Sequence, residues 1–474
     1  MNDVLATAAP GPALPRSWRD EAVAMARLAG PIVLTQLGWV AMLTTDAAMI
    51  GQLGKVPLAG ATLVLMVYFA LYVFAFGVVM ATATLASQAY GARRPRLVRR
   101  VIRQGLWATI LIVAPGIALM AYTPEILGVL RQPPEAVALA GEYIDTLKWS
   151  LAPGIAFIVL RNFVSALNRP AFAMWVMLAG VPLNAALDYA LIFGHFGLPR
   201  MELFGAGLAT TSVSLFLFAI LLAVALFVRP FRRYNILGRF WRPDWDAFRR
   251  IFKLGLPIAG IMLLEAGFFI AAVFLMGWIS TATVAAHMIA IQIPHVTFMV
   301  PMGLSQAATV RVGHAVGRRD PEGAYRAGWT ALAMSLAFMT VTSLVILAIP
   351  SSLAGIFLDE SRADSAAVLA LATSFLLYAA IFQAADGVQA VAAGALRGLN
   401  DTTVPMLLSV LCYWVIGFGG ASWLAFGAGL DGVGIWMGFA IALIAGAIVM
   451  TWRFRNLAAR RYIPDMPPDS PHPV

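Results

Sequence analysis

The chain has 474 residues, of which 61% are hydrophobic and 12% charged, with a formal net charge of +10 and a mean hydropathy of +0.83. Soluble domains carry about a quarter charged residues, so this composition excludes an ordinary water-soluble fold. The net positive charge does not point to nucleic acid, because the arginines lie in short loops between apolar runs, where they act as topology signals.

The chain opens on a polar, proline-containing lead-in at 1–21 that lacks the apolar core of a signal peptide. Twelve apolar segments follow, each long enough to cross about 30 Å of hydrocarbon. Helices are predicted near 22–49, 58–88, 98–122, 142–166, 170–195 and 206–228. A basic linker at 229–249 (RPFRRYNILGRFWRPDWDAFR) separates them from a second set near 250–279, 283–312, 324–348, 365–396, 404–426 and 432–454. Helices rather than strands are expected, because backbone groups in lipid must be satisfied within the segment and a barrel's alternating pattern is absent. Residues 455–474 read as a tail. The only cysteine, Cys412, lies in an apolar run and is expected to be a packing residue.

With these spans, 28 of the 33 Lys and Arg fall on one side. Only Lys55, Arg131, Lys148, Arg200 and Arg362 fall on the other. The bias predicts a multi-pass protein with both termini cytoplasmic.

A shift of 226 residues aligns Pro31 with Pro257, Gly51 with Gly277, Ala59 with Ala285, Gly77 with Gly303 and Gly91 with Gly317. At a shift of 232, LNRP (167–170) meets LNDT (399–402). The expected architecture is therefore all-α: two pseudo-symmetric six-helix bundles, 22–228 and 250–454. Parallel repeats with a site between or within them are a recurrent transporter plan.

Four acids lie well inside apolar segments: Asp46, Asp188, Glu265 and Asp386. Intramembrane carboxylates are costly and mark ion or substrate routes. Counting from the flanking basic residues at 1.5 Å per residue, Asp46 and Asp188 lie roughly 28 Å from the cytoplasmic face, and Glu265 and Asp386 roughly 17–18 Å. That makes one depth-matched pair per half. No Lys or Arg is predicted at comparable depth, so protons, Na⁺ or a cationic substrate must balance the charge. Asn184, one turn before Asp188, faces the same locus, and Thr210 or Thr211 is placed to add a hydroxyl. Pro31 and Pro257 are candidate hinges, since proline removes a helical hydrogen bond. Trp39, Tyr68, Phe268, Phe269, Trp278 and Phe298 are candidate linings for planar cations. His287 and His314 lack metal-site spacing and are expected to pack. Walker-type, HExxH and GxGD signatures are absent, which argues against ATP-driven pumping and against an enzyme.

The motifs then resemble a known family. LAGPIVLTQ and TTDAAMIGQLG in the first helix, ASQAYGARR after the second, PLNAALDYALIFG in the fifth and LPIAGIMLLEAGFF in the seventh are similar to multidrug and toxic compound extrusion (MATE) transporters, NorM-like branch. TVAAHMIAIQI, VPMGLSQAATVRVGHAVG and DGVQAVAAGALRGLND continue the likeness, which spans roughly residues 20–455. The resemblance implies two six-helix bundles around a central cavity that export amphipathic organic cations in exchange for Na⁺ or H⁺. It implies a cation-coupling site at Asp46, Asn184, Asp188 and Thr210, an acidic pair at Glu265 and Asp386, and a bending proline at Pro31. Met288 stands where the family commonly has glutamine, and Phe382 where related sequences can carry tyrosine. The expected protein is a monomer of the bacterial inner membrane with no cofactor beyond its coupling ion and no nucleic-acid partner. A related flippase or exporter of lipid-linked saccharide or another metabolite is the alternative, although the anionic cargo of a saccharide flippase should demand arginines at depth.

Overall fold

The computed structural model describes residues 17–357 and 365–465. Arg362, the first sixteen residues and the end of the tail lie outside them. Twelve helices long and apolar enough to cross a membrane occur among the described residues. They are α1 (Trp18–Gly51), α2 (Lys55–Gly91), α3 (Pro95–Ala121), α4 (Pro134–Ala166), α5 (Ala171–Phe193) and α6 (Glu202–Phe227). After the linker come α7 (Trp245–Ile279), α8 (Thr281–Gly317), α9 (Pro321–Ala348), α10 (Ala366–Gly398), α11 (Thr403–Gly427) and α12 (Asp431–Ala459). The chain is a multi-pass, all-helical membrane protein.

Most helices outrun their predicted ends, and at three of them a polar residue beyond the apolar run caps the start. Asp244 accepts from the Ala247 amide at 3.2 Å and starts α7. Ser280 accepts from Thr283 at 3.1 Å to start α8, and Asp320 accepts from Gly323 at 2.8 Å to start α9. Such side chains satisfy amides that the first turn leaves orphaned. Pro95 and Pro321 open α3 and α9, where the missing N–H costs nothing.

The repeat is written into the backbone. Arg93 and Arg319, equivalent at the 226-residue shift, both turn left-handed, with φ of 58° and 57°. Asn168 and Asn400, equivalent at the 232-residue shift, share a φ of 59°. Non-glycine residues rarely adopt this conformation, so the repeat extends into the loop geometry as well as the hydropathy.

Two compact units form. One comprises the described residues up to Val33 and those from Gly260 onward; the other runs from Leu34 to Ala259. Packing thus groups the chain differently from a division at the linker, because the first stretches of α1 and α7 change places. In the first unit Met25, Leu28, Ala29 and Ile32 of α1 join a core with Ala307, Ala308, Ala395 and Phe454. The boundaries fall two residues beyond Pro31 and two beyond Pro257.

Repeat-equivalent glycines explain the close approach there. A Cβ on Gly303 of α8 would overlap Val33 Cγ2 of α1 and meet the Val33 amide nitrogen at 3.1 Å. A Cβ on Gly77 of α2 would meet the Ala259 nitrogen of α7 at 2.7 Å. Val33 and Ala259 are themselves 226 residues apart, so one crossing is built twice. Backbone atoms cannot yield as a side chain can. Gly77→Ala and Gly303→Ala are each expected to destabilise their unit by about 1–3 kcal/mol, the cost of overpacking, read as a lower midpoint in thermal unfolding in detergent. An unchanged midpoint in both would refute the tight crossing.

The linker is not loose. Phe231 is fully buried between Phe163 and Phe172, with ring centroids at 5.7 and 5.2 Å. Tyr234 packs edge-on against Phe163, and burial pushes its phenol up to about 12.

Candidate functional site

In the unit from Leu34 to Ala259, α1, α5 and α6 bring together Asp46, Asn184, Asp188 and Thr210. Asn184 and Asp188 sit one turn apart on α5, hence on one face, and both are fully or nearly fully buried. The Asn184 amide nitrogen donates to Asp46 Oδ1 at 2.9 Å and to Asp188 Oδ2 at 3.0 Å. Thr210 Oγ1 donates to the Ala206 carbonyl at 3.1 Å and approaches Asp46 Oδ2 at 3.4 Å. The two carboxyl groups also contact each other directly. Thr211 is turned away and donates to the Thr146 carbonyl at 2.7 Å, so of the two threonines only Thr210 joins the cluster.

This geometry has a chemical consequence. Two carboxylates in contact repel unless a proton or a cation lies between them. Both protons of the Asn184 amide are spent on the two acids, which orients its oxygen away from them, and that Oδ1 is buried without a protein partner. An unmet buried acceptor is costly. The cluster therefore offers two carboxylates, a spare amide oxygen and a hydroxyl, an all-oxygen set suited to a proton or a hard cation such as Na⁺.

Behind it runs an aromatic ladder. Trp39 stacks on Tyr72 at 5.8 Å, and Tyr72 contacts Tyr68 at 6.0 Å and Phe76 at 6.4 Å. The Tyr68 hydroxyl pairs with Ser150 at 2.9 Å. At the end of the ladder the Arg161 guanidinium lies 5.7 Å over Phe76 and donates to Gln36 Oε1 at 2.8 Å. Its Nε and Nη2 are enclosed without partners.

In the other unit, Glu265 of α7 and Asp386 of α10 interact electrostatically. Here the expectation of acids without a basic partner needs correcting. Arg397, partly buried near the end of α10, acts on Glu265 and donates to Ser305 Oγ at 2.6 Å. It sits eleven residues beyond Asp386 and is shallower by helix position, but helical side chains lean toward the N-terminus, which brings its charge toward the acids. Tyr413 of α11 stands close to both acids and accepts a hydrogen bond from Gln389. Neither Arg397 nor Tyr413 was singled out from sequence. Phe382 is buried against Trp436 and Phe439, so the phenol near the two acids comes from another helix.

Other candidates divide. Phe268 is buried against Phe439 at 4.9 Å, whereas Trp278 is 75% exposed. His287 packs on Trp436 at 5.5 Å, and His314 is fully buried. Pro31 and Pro257 lie inside unbroken helices. Among the described residues, no group of three or more His, Cys, Asp or Glu is arranged to hold a metal ion.

A family model described as MatE matches residues 31–190 and 257–423. The chain belongs to the MATE family. The two matched stretches start at Pro31 and Pro257, the same 226-residue shift that relates the repeats. A relative named "Probable multidrug resistance protein NorM" from Bradyrhizobium diazoefficiens is 46% identical over 93% of this chain and 94% of its own. One of the same name from Rhodopseudomonas palustris is 46% identical over 96% and 95%. Among solved structures, an outward-facing multidrug resistance MATE transporter of the MOP superfamily superposes with a TM-score of 0.84 at 21% identity, covering 93% of this chain and 96% of that one. The family is one of transporters.

Proposed function

We propose that this MATE protein is a secondary antiporter that exports amphipathic organic cations, a multidrug efflux activity, in exchange for Na⁺ or H⁺. The reading rests on one observation above all: two touching carboxyls, Asp46 and Asp188, bridged by Asn184 with its oxygen left free. A cation entering this cluster removes the repulsion between the acids. It thereby stabilises whichever conformation holds them together, and a ligand shifts an equilibrium only by such differential affinity. Glu265 and Asp386, balanced by Arg397, form a second acidic locus for the organic cation or coupling ion. Pro31 and Pro257, beside the two glycine crossings, are the proposed hinges. The protein acts without catalysis or a resident cofactor, as a monomer in the bacterial inner membrane with both termini cytoplasmic. The NorM relatives and the arginine bias support this placement.

The test is efflux of ethidium from proteoliposomes with Na⁺ and pH gradients imposed separately. Glu265→Gln and Asp386→Asn are each expected to slow ethidium transport by roughly tenfold, the loss of one charge-assisted contact. No ethidium movement by the wild type under either gradient would overturn the reading.

The flippase alternative draws support from Arg161, whose two unpaired donors suit an anionic group. It predicts that Arg161→Gln abolishes movement of a pyrophosphate-linked lipid while ethidium efflux is absent from the wild type as well.

A further inference from the structure

The transport reading leaves the most basic part of the chain unused. Six arginines lie between residues 93 and 103 and eight basic residues between 229 and 253, against only Asp244 and Asp246. The fold brings these stretches together within one unit. Arg100 pairs with Asp244. Arg103 Nη1 donates to the Arg239 carbonyl at 3.0 Å, and Trp107 Nε1 donates to the Phe240 carbonyl at 2.9 Å. The Trp107 and Phe240 rings stack at 5.3 Å. Residues 238–244 therefore lie along α3 rather than trailing away from it. Arg103 and Trp107 are eight and twelve residues into that helix, roughly 12–18 Å from its start.

The charges so gathered are left largely unopposed. Arg99 faces Arg96 and Arg239, and Arg103 faces Arg99, Arg100 and Arg242, with Asp244 the one carboxylate among them. Burial works against ionised Asp244, but hydrogen bonds from Arg100 and the Ala247 amide outweigh it and hold its carboxyl below the usual range. Its charge is thus already committed to Arg100. The Nε atoms of Arg99 and Arg103 are closed off from solvent without a protein partner, and Arg103 as a whole is 7% exposed. Arg96, Arg239 and Arg242 form an exposed rim. Beside them Trp241 and Trp245 project outward. Like charges pressed together call for an anion. Guanidinium groups match phosphate in shape and donors, and exposed tryptophans next to arginines are the mark of a membrane interface. A small soluble anion has no use for the two indoles, whereas a lipid uses both features.

We infer that the cradle formed where residues 238–244 lie along α3 holds the phosphodiester headgroup of an anionic lipid. Arg103 and Arg99 grip the phosphate from within, and Arg96, Arg239 and Arg242 enclose it from the rim. The indoles of Trp241 and Trp245 sit at the level of the glycerol backbone. The lipid neutralises the repulsion and staples the linker to α3.

The full-length protein, purified in detergent, would be titrated with phosphatidylglycerol and separately with phosphatidylcholine, and bound lipid counted by native mass spectrometry. R239Q/R242Q removes two exposed side chains and leaves the buried packing intact. Each arginine near an anionic headgroup is worth about fivefold in binding, so phosphatidylglycerol affinity is expected to fall by tenfold or more (on the order of 10 to 30), with phosphatidylcholine unchanged. R232Q/R233Q, also exposed and in the same linker but outside the cradle, carries the same charge change and should retain the lipid. Equal phosphatidylglycerol binding by wild type and R239Q/R242Q overturns the assignment. So does an equal loss in R232Q/R233Q, or displacement of the lipid by millimolar inorganic phosphate.

Discussion

Asp46→Asn is expected to uncouple efflux from the cation gradient, cutting ethidium transport by roughly ten- to hundredfold in proteoliposomes. The asparagine is nearly isosteric, so packing is preserved and charge is what changes. Asp46 is the member of the cluster that touches every other: Asn184 donates to one of its oxygens and Thr210 approaches the second. With it neutral, the repulsion between the two carboxyl groups is gone, and an entering cation loses one of the two carboxylates that would hold it. A charge-assisted contact is worth about 1.5–3 kcal/mol, which sets the expected range. Asp188→Asn should act alike, since the pair functions as a unit. Asn184→Ala should cost coupling-ion affinity while leaving both acids in place. Thr211→Val is the control, because Thr211 bonds only the Thr146 carbonyl. Full wild-type rates for Asp46→Asn under both Na⁺ and pH gradients would sink the carboxylate model.

Glu21→Ala is expected to destabilise the protein by about 3–5 kcal/mol, the cost of stranding a buried charge. Arg311 of α8 donates from Nε and Nη2 to the two carboxylate oxygens of Glu21 at 2.8 and 2.7 Å. Both side chains are at most 5% exposed. A bidentate pair of this kind fixes the start of α1 to the end of α8 in both position and direction. Removing the acid leaves the guanidinium enclosed with nothing to balance it. The double variant Glu21→Leu/Arg311→Met should recover most of the loss, since a buried ion pair and an apolar pair of similar size are often equivalent in stability. Thermal unfolding of the three variants in one detergent distinguishes the cases. A double variant as unstable as Glu21→Ala would show that the pair itself, rather than the stranded charge, carries the energy.

Glu21 also shows where linear reading loses its grip. From sequence it belongs to a polar lead-in ending at residue 21, since its neighbours Arg19 and Asp20 are charged. Its partner lies 290 residues away. The same holds for the linker, whose arginines mark topology while its Phe231 and Ile236 are fully buried. Around Glu265 and Asp386, the phenol that stands close to both acids belongs to Tyr413 on another helix, and Phe382, one turn before Asp386, packs on Trp436 instead. Helical spacing identifies which residues share one helix's face; it does not say which other helix will face them.

The cluster around Asp46 was legible because each member is anomalous where it stands. A carboxylate in an apolar helix is expensive, and four of them are visible without any structure. Depth counting paired Asp46 with Asp188, and one-turn spacing added Asn184. What only the tertiary structure decided is how they meet. It chose Thr210 over Thr211, spent both amide protons of Asn184 on acids, and left its oxygen free. It also placed Arg397 within electrostatic reach of Glu265 and sent the first stretches of α1 and α7 each to the opposite repeat at matched glycine crossings. Hydropathy, charge bias and repeats are local or additive along the chain, so twelve spans and a duplicated plan follow from sequence alone. Hydrogen-bond direction, charge pairing and backbone approach depend on distances between residues far apart in the chain, and those exist only once it has folded.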